Sequence, residues 1–151
     1  MKAVLQRVSQ ASVTVAGEVV GSIGHGLVIL LGVEEGDSDK DSTYLAYKTA
    51  EMRIFADESG KMNKSIKEVE GSVLLISQFT LICDWKKGRR PGFTRAAQPE
   101  QAEQLYRNFS QQLNKQGIQV ALGTFGANME IALVNEGPVT LVLENQFGDD
   151  L

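Results

Sequence analysis

One histidine and one cysteine stand among the 151 residues, and their scarcity excludes a good deal of side-chain chemistry. A Ser-His-Asp relay would have to run through His25, which lies between Gly24 and Gly26 in an apparent turn. No Gly-x-Ser-x-Gly elbow is present to hold a nucleophilic serine. His25 therefore reads as a surface turn residue. Cys83 would need a base beside it to act as a nucleophile, and the sequence shows no sign of one, so it reads as a partly buried thiol at a strand end. A single thiol rules out an internal disulfide framework and suits a reducing cytosol. One His and one Cys cannot assemble the usual nitrogen and sulfur sets, so no metal is expected, and no other cofactor.

Long hydrophobic runs are also missing. The longest strongly apolar run, Leu27–Leu31 with Val33, is far too short to span a bilayer. Met1–Arg7 carries a charge at position 7 and lacks the uninterrupted apolar stretch of a signal peptide. The expectation is a soluble, cytoplasmic protein without a membrane partner. Its length fits one domain over residues 1–151, and 42% hydrophobic residues suffice for a real core. A net charge of −4 argues against general affinity for nucleic acid, and DNA is not expected as a partner. Gly17–Gly26 contains four glycines but lacks the Gly-x-x-x-x-Gly-Lys-Ser/Thr pattern of a phosphate loop.

Against that acidic background one segment is basic. Lys86, Lys87, Arg89, Arg90 and Arg95 fall between Trp85 and Arg95 with no acid among them, beside Trp85 and Phe93. Acidic residues gather elsewhere, at Glu34, Glu35, Asp37, Asp39 and Asp41. Such a loop is either a solvated surface or a contact to phosphate.

Periodicity predicts a mixed fold. Met1–Val8 and Ser12–Val15 read as strands, the latter in a hairpin with Val19–Ile23 across the turn at Ala16-Gly17-Glu18. Leu27–Val33 reads as a strand buried on both faces. A helix is predicted over Asp39–Arg53, capped by Ser38 or Asp39. A second runs from Pro99 to a stop at Gly117, with Ala102, Leu105, Tyr106, Phe109 and Leu113 on one face. Ile54–Ala56, Gln119–Leu122, Met129–Asn135 and Val139–Glu144 read as further strands; Met62–Val69 is ambiguous, and 146–151 reads as a frayed tail. Two helices among seven or more strands imply an α/β fold of the α+β kind, a strongly curved sheet or barrel with the helices packed outside.

Ser72–Ile82 reads as the central strand, yet Ser77-Gln78-Phe79-Thr80 interrupts its apolar run. Period 2 puts Val73, Leu75, Ser77, Phe79 and Leu81 on one face and Leu74, Ile76, Gln78, Thr80 and Ile82 on the other. Polar groups there mark an internal hydrogen-bond network, or else a ligand pocket. Thr80 as a nucleophile would need a base that the neighbouring sequence does not supply. Gly137-Pro138, between two apolar runs, reads as a tight hairpin turn; its other reading is a rigid corner that leaves backbone polar groups open for function.

Ser77-Gln78-Phe79-Thr80-Leu81 and Asn135-Glu136-Gly137-Pro138-Val139-Thr140 resemble the two signature motifs of the D-aminoacyl-tRNA deacylases. Gln6-Arg7-Val8, Ala11-Ser12-Val13, Gly60-Lys61-Met62-Asn63, Lys87-Gly88-Arg89-Arg90-Pro91, Phe93-Thr94 and Phe125-Gly126-Ala127 match in the same order. The chain departs at Gly92, Thr124 and Asn128, where Ser, Arg and Asp are common. The resemblance implies a cytoplasmic homodimer that hydrolyses D-aminoacyl-tRNA and glycyl-tRNA, including glycine mischarged on alanine tRNA. It implies that Ser77, Gln78, Phe79 and Thr80 line the pocket around the terminal adenosine and the ester. It further implies a cis bond at Gly137-Pro138, a corner braced by Arg7 and projecting into the partner subunit to reject L-amino acids. Lys86, Lys87, Arg89, Arg90 and Arg95 are then candidates for tRNA phosphate contacts. Two other readings stand beside this: a small ester or thioester hydrolase using Thr80 directly, and a non-catalytic RNA-binding module.

Overall fold

A computed structural model describes residues 1–145 and arranges them around one long strand. β1 (Lys2–Val15) is continuous, where the pattern predicts a break after Val8. The exposed Ser9 and Gln10 are absorbed by a register shift against a neighbouring strand rather than by a turn. Along one side of β1 lie β2 (Glu18–Ile23), beside its second half, and β3 (Gly26–Gly32), beside its first half, both antiparallel. α1 (Asp39–Glu51) follows, with Ser38 at its N-cap and Asp41 completing a capping box. β4 (Phe55–Ala56) and β5 (Met62–Lys64) form a small separate ribbon, which resolves the ambiguous stretch.

β6 (Ser72–Ser77) pairs in parallel with β3 and, on its other side, with β7 (Val120–Leu122). Between β6 and β7 runs α2 (Pro99–Lys115), with Pro99 in its first turn and Gly117 in the left-handed region just past its end. β8 (Glu130–Glu144) covers the whole other side of β1. The result is a mixed sheet nearly closed into a barrel, with two helices. Gly21 shows how tightly it curls: a Cβ there would stand 3.0 Å from the Leu122 carbonyl oxygen of β7. Among the described residues no helix is long and apolar enough to cross a membrane.

The alternation along β3 and β6 builds two cores at once. Leu27, Ile29, Leu31, Val73 and Leu75 pack with Leu45, Ala46 and Ala50 of α1 and with Leu105, Phe109 and Leu113 of α2. Val28, Leu74 and Ile76 point the other way, into a cluster with Val8, Ala11 and Val13. All five residues of the predicted apolar face of α2 are buried.

Two expectations fail here, each for a local reason. The central strand ends at Ser77 rather than Ile82, because its partner β3 ends at Gly32 and offers no further ladder. Gly137-Pro138 is not a hairpin turn: both of its flanks pair with β1 and belong to the one strand β8. The tail expected to fray, 146–151, lies outside the described residues.

The Tyr106 hydroxyl donates to the Leu75 carbonyl at 3.0 Å, and burial pushes its phenol up to about 12. The unfolded phenol titrates near the ordinary tyrosine value of 10.0. The fold therefore favours the neutral form, and this contribution to stability is complete below pH 10 and lost as pH rises from 10 toward 12. Denaturant midpoints of the wild type are expected to fall more steeply over that interval than those of Tyr106→Phe; parallel curves would contradict the assignment.

Candidate active site

After Ser77 the chain leaves the sheet. The Gln78 N–H still bonds the Leu31 carbonyl at 2.8 Å, and then Phe79–Leu81 forms one 3₁₀ turn closed by Leu81 N–H to Gln78 O and Ile82 N–H to Phe79 O. The N–H groups of Phe79 and Thr80 precede the first bond of this turn and have no partner within it. Gly32 makes room for the turn, since a Cβ there would meet Leu81 Cβ at 3.0 Å and Gln78 O at 3.1 Å.

Beside the turn opens a cavity of about 560 Å³, within the range of small-ligand sites. Ile76 to Phe79 form one wall, Phe93 and Ala96 to Pro99 another, and Phe125 to Met129 a third. Phe93 meets Phe79 edge-on, with ring centroids 5.2 Å apart. Among the described residues, no side chain lining the cavity is ionisable. Ser77, Gln78 and Phe79 line it, whereas Thr80 does not. The Thr80 hydroxyl is exposed and accepts a hydrogen bond from the Gln78 amide.

The second motif forms a wide bulge. Gln6 pairs with Thr140 and Val8 with Asn135, so four residues, Glu136 to Val139, stand opposite Arg7 alone. The Gly137-Pro138 bond is cis, and both residues are exposed. Arg7, itself buried, reaches under the bulge: its Nε donates to Glu136 O at 3.0 Å and lies 2.8 Å from Glu136 Oε2, while Nη1 donates to Ile54 O at 2.8 Å. Gly137 has φ +127°, and a Cβ there would stand 2.9 Å from Arg7 Nη2 and 3.1 Å from the Val139 nitrogen. Neither Gly137 nor Pro138 lines the cavity of its own chain.

This pairing of a cavity lined by apolar and amide residues with a braced Gly-Pro bulge spans the chain from Arg7 to Thr140, and so does its sequence kinship. The profile of the D-Tyr-tRNA(Tyr) deacylase family matches residues 4–144. The chain belongs to that family. A D-aminoacyl-tRNA deacylase of Halalkalibacterium halodurans is 56% identical over 146 residues, covering 97% of this chain and all of the relative. A D-aminoacyl-tRNA deacylase of Bacillus cereus is 56% identical over the same share of both. Among solved structures, a c-Myc DNA unwinding element binding protein superposes with a TM-score of 0.90 at 43% identity, covering 97% of this chain and 99% of that one.

Within this deacylase-family fold, several residues to which the sequence assigns no role take part in the site. Glu136 and the Ile54 carbonyl share the Arg7 guanidinium. His25 is an exposed residue of a bend, as expected, and there its ring stands edge-on to Phe55 with Nε2 3.6 Å from Glu136 Oε2. The start of α2 and the segment Phe125 to Met129 supply two cavity walls. Of the basic residues, Arg95 pairs with Glu34, while Lys86, Lys87, Arg89 and Arg90 are exposed and pair with no acid among the described residues.

Proposed function

We infer that the protein hydrolyses the ester joining a D-amino acid to the 3′ end of tRNA, and that of glycyl-tRNA, including glycine mischarged on alanine tRNA. The observation that carries this reading is a cavity without an ionisable side chain, bordered by a turn with free N–H groups. Such a site suits a substrate that is already activated. An aminoacyl ester is one, and the ribose hydroxyl beside the ester can direct the attacking water. Water adds to the carbonyl carbon, the Phe79 N–H at the cavity wall stabilises the oxyanion, and the bond to the ribose oxygen breaks as that oxygen takes up a proton.

Selection against L-amino acids is assigned to the Glu136 to Val139 bulge. Its carbonyls would hold the substrate amino group and leave no space for an L side chain, a discrimination by exclusion. Because Gly137 and Pro138 do not line their own chain's cavity, the bulge is proposed to enter that of a second copy, in a cytoplasmic homodimer of single-domain subunits. The edge of β8 away from β1 carries no strand among the described residues, and Val134 and Val142 of β8 are exposed.

Direct attack by Thr80 is disfavoured by its place outside the cavity and by its bond from Gln78. Thr80→Ala is expected to keep kcat/KM on D-Tyr-tRNA within about threefold of wild type, the scale of an exposed substitution. Loss by several orders of magnitude would restore Thr80 as the nucleophile. Comparison with simple D-amino acid esters separates the rival hydrolase: the tRNA ester alone should turn over well. Binding of D-Tyr-tRNA without turnover would favour a nucleic-acid-binding module, the kind of activity for which the 43%-identical structure is named.

A further inference from the structure

Trp85 is the most exposed large apolar side chain among the described residues, at 70%, and it stands in a loop that is held rather than trailing. Asp84 and Gly92 exchange both of their backbone hydrogen bonds, each 2.8 Å, and close the loop at its base. Phe93, the next residue, lines the cavity and rests on Phe79. The loop is therefore rooted at the cavity rim. Lys86, Lys87, Arg89 and Arg90 project from it without acidic partners among the described residues; the one carboxylate at its base, on Asp84, accepts from the Lys86 N–H at 3.3 Å.

We propose that this loop docks the unpaired nucleotides leading to the 3′ end of the substrate RNA, with a base stacked on the Trp85 indole and Lys86, Lys87, Arg89 and Arg90 on the adjoining phosphates. An exposed indole on a loop that carries four cations without acidic partners among the described residues matches a strand whose bases are unstacked and whose backbone is anionic. Aromatic stacking with cationic contacts to phosphate is the general means of holding single strands. A duplex keeps its bases stacked inside and offers the indole no face. The Asp84–Gly92 closure sets Trp85 and Phe93 on adjoining residues at the base of the loop, and Phe93 lines the cavity. Arg95, held by Glu34, takes no part. The proposal rests on the reading that the cavity receives the terminal adenosine ester, and it extends the contact beyond that nucleotide.

Trp85 is the single tryptophan of the sequence, so intrinsic fluorescence reports on this loop alone. Titration with an uncharged single-stranded RNA ending in CCA is expected to quench it, with log Kd rising against log salt at a slope of about 3, as roughly four phosphate contacts on a single strand require. A blunt RNA duplex should not quench. In steady-state assays Trp85→Ala should raise KM for D-aminoacyl-tRNA about tenfold, leave kcat unchanged, and leave KM for D-aminoacyl-adenosine unchanged; Trp85→Phe should recover most of the loss. Absence of quenching by the RNA, quenching by DNA alone, or an equal rise of KM for both substrates would overturn the proposal. Quenching without turnover of either ester would instead sink the deacylase reading and leave the docking loop standing.

Discussion

Gly137→Ala is expected to lower kcat/KM on D-aminoacyl-tRNA about a hundredfold, the loss that follows when a positioning group is displaced by about an ångström. At φ +127° an L residue is strained by about 1–3 kcal/mol wherever space allows it. Here space does not allow it. The new Cβ would press on Arg7 Nη2 and on the Val139 nitrogen. The guanidinium cannot simply swing aside, because it already serves Ile54 O, Glu136 O and the Glu136 carboxylate. The bulge must move instead, and with it the carbonyls proposed to hold the amino group. Thermal unfolding should shift by only several degrees, since the bulge is exposed and the two cores lie elsewhere. Full activity in single-turnover assays of a folded Gly137→Ala protein would remove the bulge from the site.

A tRNA ending in 2′-deoxyadenosine, charged with a D-amino acid on its 3′-hydroxyl, is expected to be cleaved at least about a hundredfold more slowly than the ribose form, the scale of a lost proton-transfer partner. Among the described residues, the cavity lining holds no base to replace it. His25, the only imidazole, stands against Phe55 and toward Glu136 rather than in the lining. Thr80 accepts a hydrogen bond from an amide, which does nothing to remove its proton. Equal rates on the two tRNAs, measured by release of labelled amino acid, would rule out assistance by the RNA and require a protein base.

The parts of this account that were legible in sequence are those set by local spacing. The buried face of α2, its Pro99 start and Gly117 stop follow from a period of 3.6 and from backbone chemistry, and β3 announced its burial by an unbroken apolar run. The same logic overran at Ser72–Ile82. Alternation there continued past the point where β3 ended, and a strand lasts only as far as its neighbour. Gly137-Pro138 misled in the opposite way, because the step that usually ends a strand can also bulge inside one when both flanks keep a partner as long as β1. The environment of Arg7 was out of reach of spacing: its partners lie 47 and 129 positions away, at Ile54 and Glu136, and no local pattern brings them together. Two walls of the cavity were missed for the same reason, being made of ordinary apolar and amide residues with no chemical signature of their own.

In the proposed reaction backbone groups, rather than an ionisable side chain, select the substrate and stabilise the charge that develops as water attacks it. The most direct test is a deacylation assay on one tRNA body charged in turn with a D-amino acid, its L enantiomer and glycine. The D-amino acid and glycine are expected to be released rapidly, with the L ester decaying no faster than in buffer. Cleavage of the L ester at a rate like that of the D ester would contradict the proposed selection.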